Sequence, residues 1–278
     1  MTDSSSPVSA AGPTAPAPVD AEALGRALAG NPLVRSVSVV ESTGSTNADL
    51  LSAAATGDVA GSVRIAEFQS SGRGRHERSW GAPPRTQLAM SVAVAVGADV
   101  PPQAWGWLPL LAGLAVTDAV AGLGVQAGLK WPNDVLIDGH KAVGILVELT
   151  SGRDGMVAVI GMGVNTGLEP EDLPVPTATS LHRHTDEPVD RTVLAAAILD
   201  ALAARLGHWP DDLDTLAADY RARSVTIDRR VRVELPGERE IVGTVTDIDP
   251  SGRVVVTDDE GAEHQVTAGD VTHLRPVD

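Results

Sequence analysis

Val37, Val39 and Val40, with Ser36 and Ser38 interleaved, alternate as a half-buried strand does. Ahead of them, Ala21–Ala29 predicts a short helix ended by Gly30 and Pro32. Ser45-Thr46-Asn47 reads as a helix start. Thr46 and Asp49 resemble a capping box, and Leu50, Leu51 and Ala54 supply an apolar stripe. Val63–Phe68 predicts a strand that runs into a Gly/Arg loop from Ser70 to Trp80, and Thr86–Val96 predicts another. Gln103–Ala121 is apolar and Ala-rich, the pattern of a buried helix.

Val125–Trp131, Val135–Ile137, Val143–Leu149 and Met156–Val164 follow as short strands separated by turn residues. Strands without intervening helices favour an antiparallel or mixed sheet over alternating β-α-β units. Thr192–Leu206 and Leu213–Arg221 predict two late helices. Near Arg223 the texture becomes strand-like: Val225–Leu235, Ile241–Ile248, an Asp249-Pro250-Ser251-Gly252 turn, Val254–Thr257 and Glu263–Thr267. Such a run of short strands suggests a small β-barrel. The expected organisation is a disordered segment over 1–20, rich in Pro, Ala and Ser, a main α+β domain over 21–222 and a small β domain over 223–278.

Composition narrows the classes. A formal net charge of −16 argues against a general nucleic-acid binder and against docking on anionic lipid. The absence of Cys excludes disulfides, thiolate-held metals and cysteine nucleophiles, and fits a reducing compartment. Apolar runs such as Leu88–Val96 are too short to span a bilayer, and the first basic residue, Arg26, follows a Ser/Pro/Ala lead unlike a secretory signal. The expected location is the cytoplasm, with no membrane partner.

Against this acidic background, the five Arg and two Glu between Arg64 and Arg85 make a local +3 around Gly72-Arg73-Gly74-Arg75-His76-Glu77-Arg78-Ser79-Trp80. Glycines let the backbone approach a ligand, and guanidinium forks suit phosphate or carboxylate. The spacing is neither a Walker A nor a dinucleotide fingerprint. On its own the stretch is an anion loop or a solvated Arg-rich turn. Lysine occurs only twice in the chain, at Lys130 and Lys141. Lys130-Trp131-Pro132-Asn133-Asp134 leaves a strand for a turn, where Asn133 and Asp134 serve either the turn or chemistry. Gly144-Ile145-Leu146-Val147-Glu148 and Gly161-Met162-Gly163-Val164-Asn165 read more as core than as site, although glycines within strands mark close approach. His182-Arg183-His184 lacks a third ligand in pattern, so no metal site is assigned.

Ser45-Thr46-Asn47, Glu67-Phe68-Gln69 with the GRGRHERSW loop, KWPNDV, the run from Lys141 to Leu149 and GMGVN occur in one order over roughly residues 40–165. Together they resemble the biotin protein ligase family. The resemblance implies a mixed β-sheet backed by helices, shared with class II aminoacyl-tRNA synthetases and lipoate ligases, and a C-terminal SH3-like β-barrel. It implies that biotin and ATP, with Mg²⁺, give biotinyl-5′-AMP, which acylates a lysine of a biotin carboxyl carrier domain. By the same resemblance, Ser45, Thr46, Asn47, Gln69, Arg73, Gly74, Arg75 and Lys141 take biotin, while Arg75, Arg78, Trp80, Lys130, Asn133 and Asn165 face the nucleotide. Lys141, Arg75, Arg78 and Asp134 are the expected catalytic set.

Some family members begin with a DNA-binding winged helix. The short lead before Ser42 predicts a monofunctional ligase, with no nucleic-acid partner and no repressor role. A homodimer stays open. The rival readings are a lipoate or octanoate ligase on the same fold and a non-catalytic nucleotide-binding protein.

Overall fold

The structure, a computed structural model, describes residues 16–153, 155–173, 175–235, 239–267 and 270–273. Seven strands form one sheet: β1 (Ser36–Val40), β2 (Ser62–Ala66), β3 (Gln87–Val96), β4 (Gly128–Lys130), β5 (Asp134–Ile137), β6 (His140–Gly152) and β7 (Gly155–Asn165). Their spatial order is β1-β2-β3-β7-β6-β5-β4. Only β1 and β2 run parallel, so the sheet is mixed, as the strand spacing predicts.

The helices are α1 (Ala21–Ala27), α2 (Thr46–Ala54), α3 (Trp107–Ala121), α4 (Arg191–Leu206) and α5 (Leu213–Arg223). Along β3 the side chains divide between two clusters. Val92 and Val94 join the main core with α3 and α4, whereas Ala93 packs with Leu50 and Ala54 of α2. Successive strand residues point to opposite faces, so β3 is covered on both sides and reads as a nearly unbroken apolar run. Pro102–Ala121 is apolar and long enough to cross a membrane, but 72% of it is buried inside the protein, as suits a core helix.

Several boundaries differ from the sequence reading. Ser45, not Thr46, caps α2: its extended backbone (φ −158°, ψ 131°) lets its hydroxyl accept from the Ala48 amide. Asp49 accepts instead from the Thr43 hydroxyl and pairs with Arg64. The strand expected from Val125 begins only at Gly128, and β2 stops at Ala66. Residues 16–20 are packed rather than disordered. Val19 is buried and its amide donates to Glu67 Oε1 (2.6 Å), Arg191 Nη2 donates to the Ala17 carbonyl (2.5 Å), and Asp20 caps α1. The rest of the segment expected to be disordered, residues 1–15, lies outside the described residues.

The C-terminal strands β8 (Arg230–Leu235), β9 (Arg239–Ile248), β10 (Val254–Asp258), β11 (Glu263–Val266) and β12 (Asp270–His273) form an antiparallel sheet in the order β11-β10-β9-β8-β12. Residues 225–229 turn before it rather than extending β8, and β12 is a strand the sequence did not signal. Its valines join the main core, and its β9–β10 turn is gripped by two buried indoles. Trp107 Nε1 donates to the Pro250 carbonyl (2.8 Å) and Trp131 Nε1 to the Gly252 carbonyl (3.0 Å). Both N–H groups thus find acceptors where the rings are out of water. Trp131 belongs to the KWPND segment, so the small sheet abuts the turn carrying the second candidate motif.

Candidate active site

One cavity of about 420 Å³ is lined by every sequence-predicted site residue: Ser45, Thr46, Asn47, Gln69, Arg73, Gly74, Arg75, Arg78, Trp80, Lys130, Asn133, Asp134, Lys141 and Asn165. They come from the N-terminus of α2, the Gly/Arg loop, the β4–β5 turn and the strands β6 and β7. Glu234 and Val271 of the small sheet also line it.

One wall is polar and buried. Gln69 Oε1 accepts from the Thr46 amide (2.8 Å) and hydroxyl (3.1 Å). Ser91 Oγ lies 2.7 Å from Thr46 Oγ1 and 2.6 Å from Asn47 Oδ1. A hydroxyl carries one proton, so Ser91 can donate to only one of these acceptors at a time. Asn47 Nδ2 donates to the Leu146 carbonyl (3.2 Å) and to Glu148 Oε2 (2.8 Å). Capping explains the placement: the first turn of α2 turns its side chains and amides toward the cavity.

The Gly/Arg loop closes on itself. Arg73 bridges Ser79, the Gly74 amide donates to the Arg78 carbonyl (2.7 Å), and the Trp80 amide donates to the Gly72 carbonyl (2.8 Å). His76 takes a left-handed backbone (φ 52°), which tightens the turn.

Beyond the loop, Trp80 lies on the paired strand glycines Gly144 and Gly163. A methyl group on Gly144 would sit 2.9 Å from the indole, and one on Gly163 would overlap its nitrogen. These two glycines exist so that an aromatic plane can seat on the sheet. Gln87 Oε1 accepts from Trp80 Nε1 (2.8 Å) and fixes the ring's rotation.

Lys141, the second residue of β6, stands between two partners: its Nζ lies 2.6 Å from Asp134 Oδ1 and 5.3 Å from the centre of the Trp80 ring. Its backbone pairs with residues 177–179. Asn133 is a strut as well as a turn former, because its side chain donates to the Ile145 carbonyl (2.9 Å). Asn165 is buried and donates to the Thr179 carbonyl (3.0 Å). Near this turn, burial pushes the Tyr220 phenol well above its ordinary range, and the Asp134 charge adds to the effect.

Three polar residues here escaped the sequence reading: Ser91, Gln87 and Glu148. Ser91 had a signal, a hydroxyl interrupting an apolar strand. Glu148 closes the Gly144–Glu148 run that reads as core, and Gln87 had no signal, because its partner is recognised only in the fold. Among the described residues no three His, Asp or Glu side chains gather in a group that could hold a metal.

Fold and site together define a mixed-sheet protein with a cation-lined cavity and a small C-terminal β domain beside it. The fold resembles that of a biotin protein ligase from Aquifex aeolicus in complex with biotin and ATP (TM-score 0.72, 23% identity, covering 86% of this chain and 99% of that one). Residues 39–165 match the biotin/lipoate A/B protein ligase family and residues 226–274 the biotin protein ligase C-terminal domain. The chain is 51% identical over 246 residues to a biotin–[acetyl-CoA-carboxylase] ligase of Mycobacterium tuberculosis, covering 87% of this chain and 90% of the relative. It is 33% identical over 235 residues to an enzyme of the same name from Paracoccus denitrificans, covering 80% and 94%. The chain belongs to the biotin protein ligase family.

Proposed function

We propose that this protein is an ATP-dependent biotin protein ligase that forms biotinyl-5′-AMP and transfers biotin to a lysine of a biotin carboxyl carrier domain, in the cytoplasm. The observation that carries the reading is the convergence of Arg73, Arg75, Arg78 and Lys141 on a single cavity whose other wall is the buried polar set Ser45, Thr46, Asn47 and Gln69. Residues 21–222 carry the site. Residues 223–278 are the small domain that buttresses it.

In the first step a biotin carboxylate oxygen attacks the α-phosphorus of ATP. A carboxylate–phosphorus bond forms, the α–β bridging bond breaks, and pyrophosphate leaves with the electron pair. Both reactants are anions, and two unit charges about 4 Å apart repel by roughly 4 kcal/mol at an effective dielectric of 20. The three guanidinium groups and the Lys141 ammonium offset this and stabilise charge gathering on the α-phosphate. The carboxylate is already ionised, so no general base is required. Trp80, seated on bare glycines, offers a flat surface suited to the adenine. Lys130, Asn133 and Asn165 border the same side of the cavity. Mg²⁺ entering with ATP would add to the neutralisation of the phosphate charge that the guanidinium groups and Lys141 provide.

In the second step the carrier lysine amine attacks the acyl carbon, and AMP leaves. The amine must arrive neutral. Asp134 orients it and takes its proton, with Lys141 holding the carboxylate in place. Asp134→Asn is expected to slow carrier biotinylation more than adenylate formation, as single-turnover assays of the two steps would show. Equal effects on both would remove that role.

The mixed anhydride is destroyed by water, so the Gly/Arg loop must hold it once formed. Arg75→Ala is expected to release adenylate into solution, read as free biotinyl-5′-AMP per pyrophosphate formed. A variant that retains the intermediate as wild type does would exclude Arg75 from the cover. The whole reading is tested by incubating the protein with ATP, Mg²⁺, a carrier domain and either biotin or lipoate. Biotin-sized mass gain on the carrier is expected. A gain with lipoate alone, or pyrophosphate release with neither acid, would overturn it.

A further inference from the structure

Glu148 does not line the cavity, yet one of its carboxylate oxygens receives two groups that do. Its Oε2 accepts from Arg73 Nη2 (2.9 Å) of the Gly/Arg loop and from Asn47 Nδ2 (2.8 Å) of α2. The carboxylate stands on β6, one strand away from Gly161 of β7, where a methyl group would overlap the Asn47 amide oxygen. Asn47 is therefore pressed against the sheet and cannot slide away from Glu148.

We propose that Glu148 is a positioning residue for biotin binding, setting both the direction of Arg73 and the orientation of the Asn47 amide. The deduction rests on the reading of this site as a biotin site. An Asn side chain can face either way round, and its two ends have opposite hydrogen-bonding sense. A carboxylate accepts only, so Glu148 obliges the amide nitrogen to point at β6 and the amide oxygen to point at Ser91. That choice passes along the buried chain Ser91–Thr46–Gln69 and decides which donors and acceptors the wall offers. The same carboxylate draws Arg73 toward that wall. Arg73 is half-exposed, so the ion pair itself adds little to stability. Its consequence is geometric: the loop's first arginine is docked before any substrate arrives.

Glu148→Gln keeps the shape but removes the charge. Its one amide oxygen can stand in the place of Oε2, where a neutral acceptor holds the Arg73 guanidinium and the Asn47 amide more weakly, and its other end donates, so the side chain no longer accepts only. The expected result is an increase of about tenfold in KM for biotin, with kcat for adenylate formation and KM for ATP within about threefold of wild type and Tm unchanged. Glu148→Asp, which keeps the charge but retracts it, should recover part of the loss. Arg73→Met and Glu148→Gln should combine to less than the product of their single effects, because they remove one contact. A biotin KM unchanged in Glu148→Gln, multiplicative effects, or an equal fall in kcat and Tm would overturn the assignment. Calorimetric titration of wild type with biotin separates the two layers: no binding there defeats the biotin reading and this inference with it, whereas binding by wild type and by Glu148→Gln with equal affinity defeats this inference alone.

Discussion

Replacing Lys141 with Met is expected to slow biotin-dependent ATP–pyrophosphate exchange by roughly 10²–10³-fold, the scale of removing one preorganised electrostatic donor. Two losses combine. The ammonium no longer offsets the approach of carboxylate to polyphosphate. The Asp134 carboxylate, 2.6 Å from that ammonium and mostly buried, is also left uncompensated, so the local charge turns from neutral to negative where two anions must meet. Adding Asp134→Asn to Lys141→Met should therefore restore part of the exchange rate, although Asp134→Asn alone gains nothing. Arginine should substitute poorly, because its planar fork does not fit the space of a compact ammonium stacked beside Trp80. An exchange rate for Lys141→Met within threefold of wild type would remove Lys141 from the chemistry.

The largest stability effect should come from Arg191. Its guanidinium is 3% exposed and lies 2.7 Å from a Glu67 carboxylate that is 1% exposed. It also donates to the carbonyls of Ala17 and Gln87. Removing one member of a buried pair costs about 3–5 kcal/mol, because the other charge stays buried without a partner. For a chain of this size the expected fall in Tm is about 6–20 °C for Arg191→Met, measured by thermal unfolding. Replacing both members, Arg191→Met with Glu67→Leu, should cost less than the single change. If the single variant melted with wild type, the pair would not be holding the N-terminal residues and β3 together. The site would register the same change, since Gln87, whose carbonyl accepts from Arg191, fixes the Trp80 indole.

Much of this was legible in the order of residues. Strand and helix identities followed from local periodicity. The two cationic segments stood out because lysine is scarce and arginine is clustered in an otherwise acidic chain. The glycines of β6 and β7 were marked as points of close approach, but what approached them was not. It proved to be Trp80, more than sixty residues upstream of Gly144. Capping was misplaced by one residue, because Ser45 and Thr46 are equally good caps by type and only the extended backbone at Ser45 decides between them. Residues 16–20, just before α1, looked unable to pack because their own sequence has no apolar period. Their order comes from outside, from Glu67 and Arg191.

The sequence by itself determined which elements form and which residue types carry charge, since both depend on neighbours a few positions away. The tertiary structure alone decided which charges meet. It set Glu148 between Arg73 and Asn47, Asp134 against Lys141, and the turn of the small domain under Trp131. Such pairings depend on strand register and sheet order, which bring distant segments within hydrogen-bond reach, and no local pattern records them.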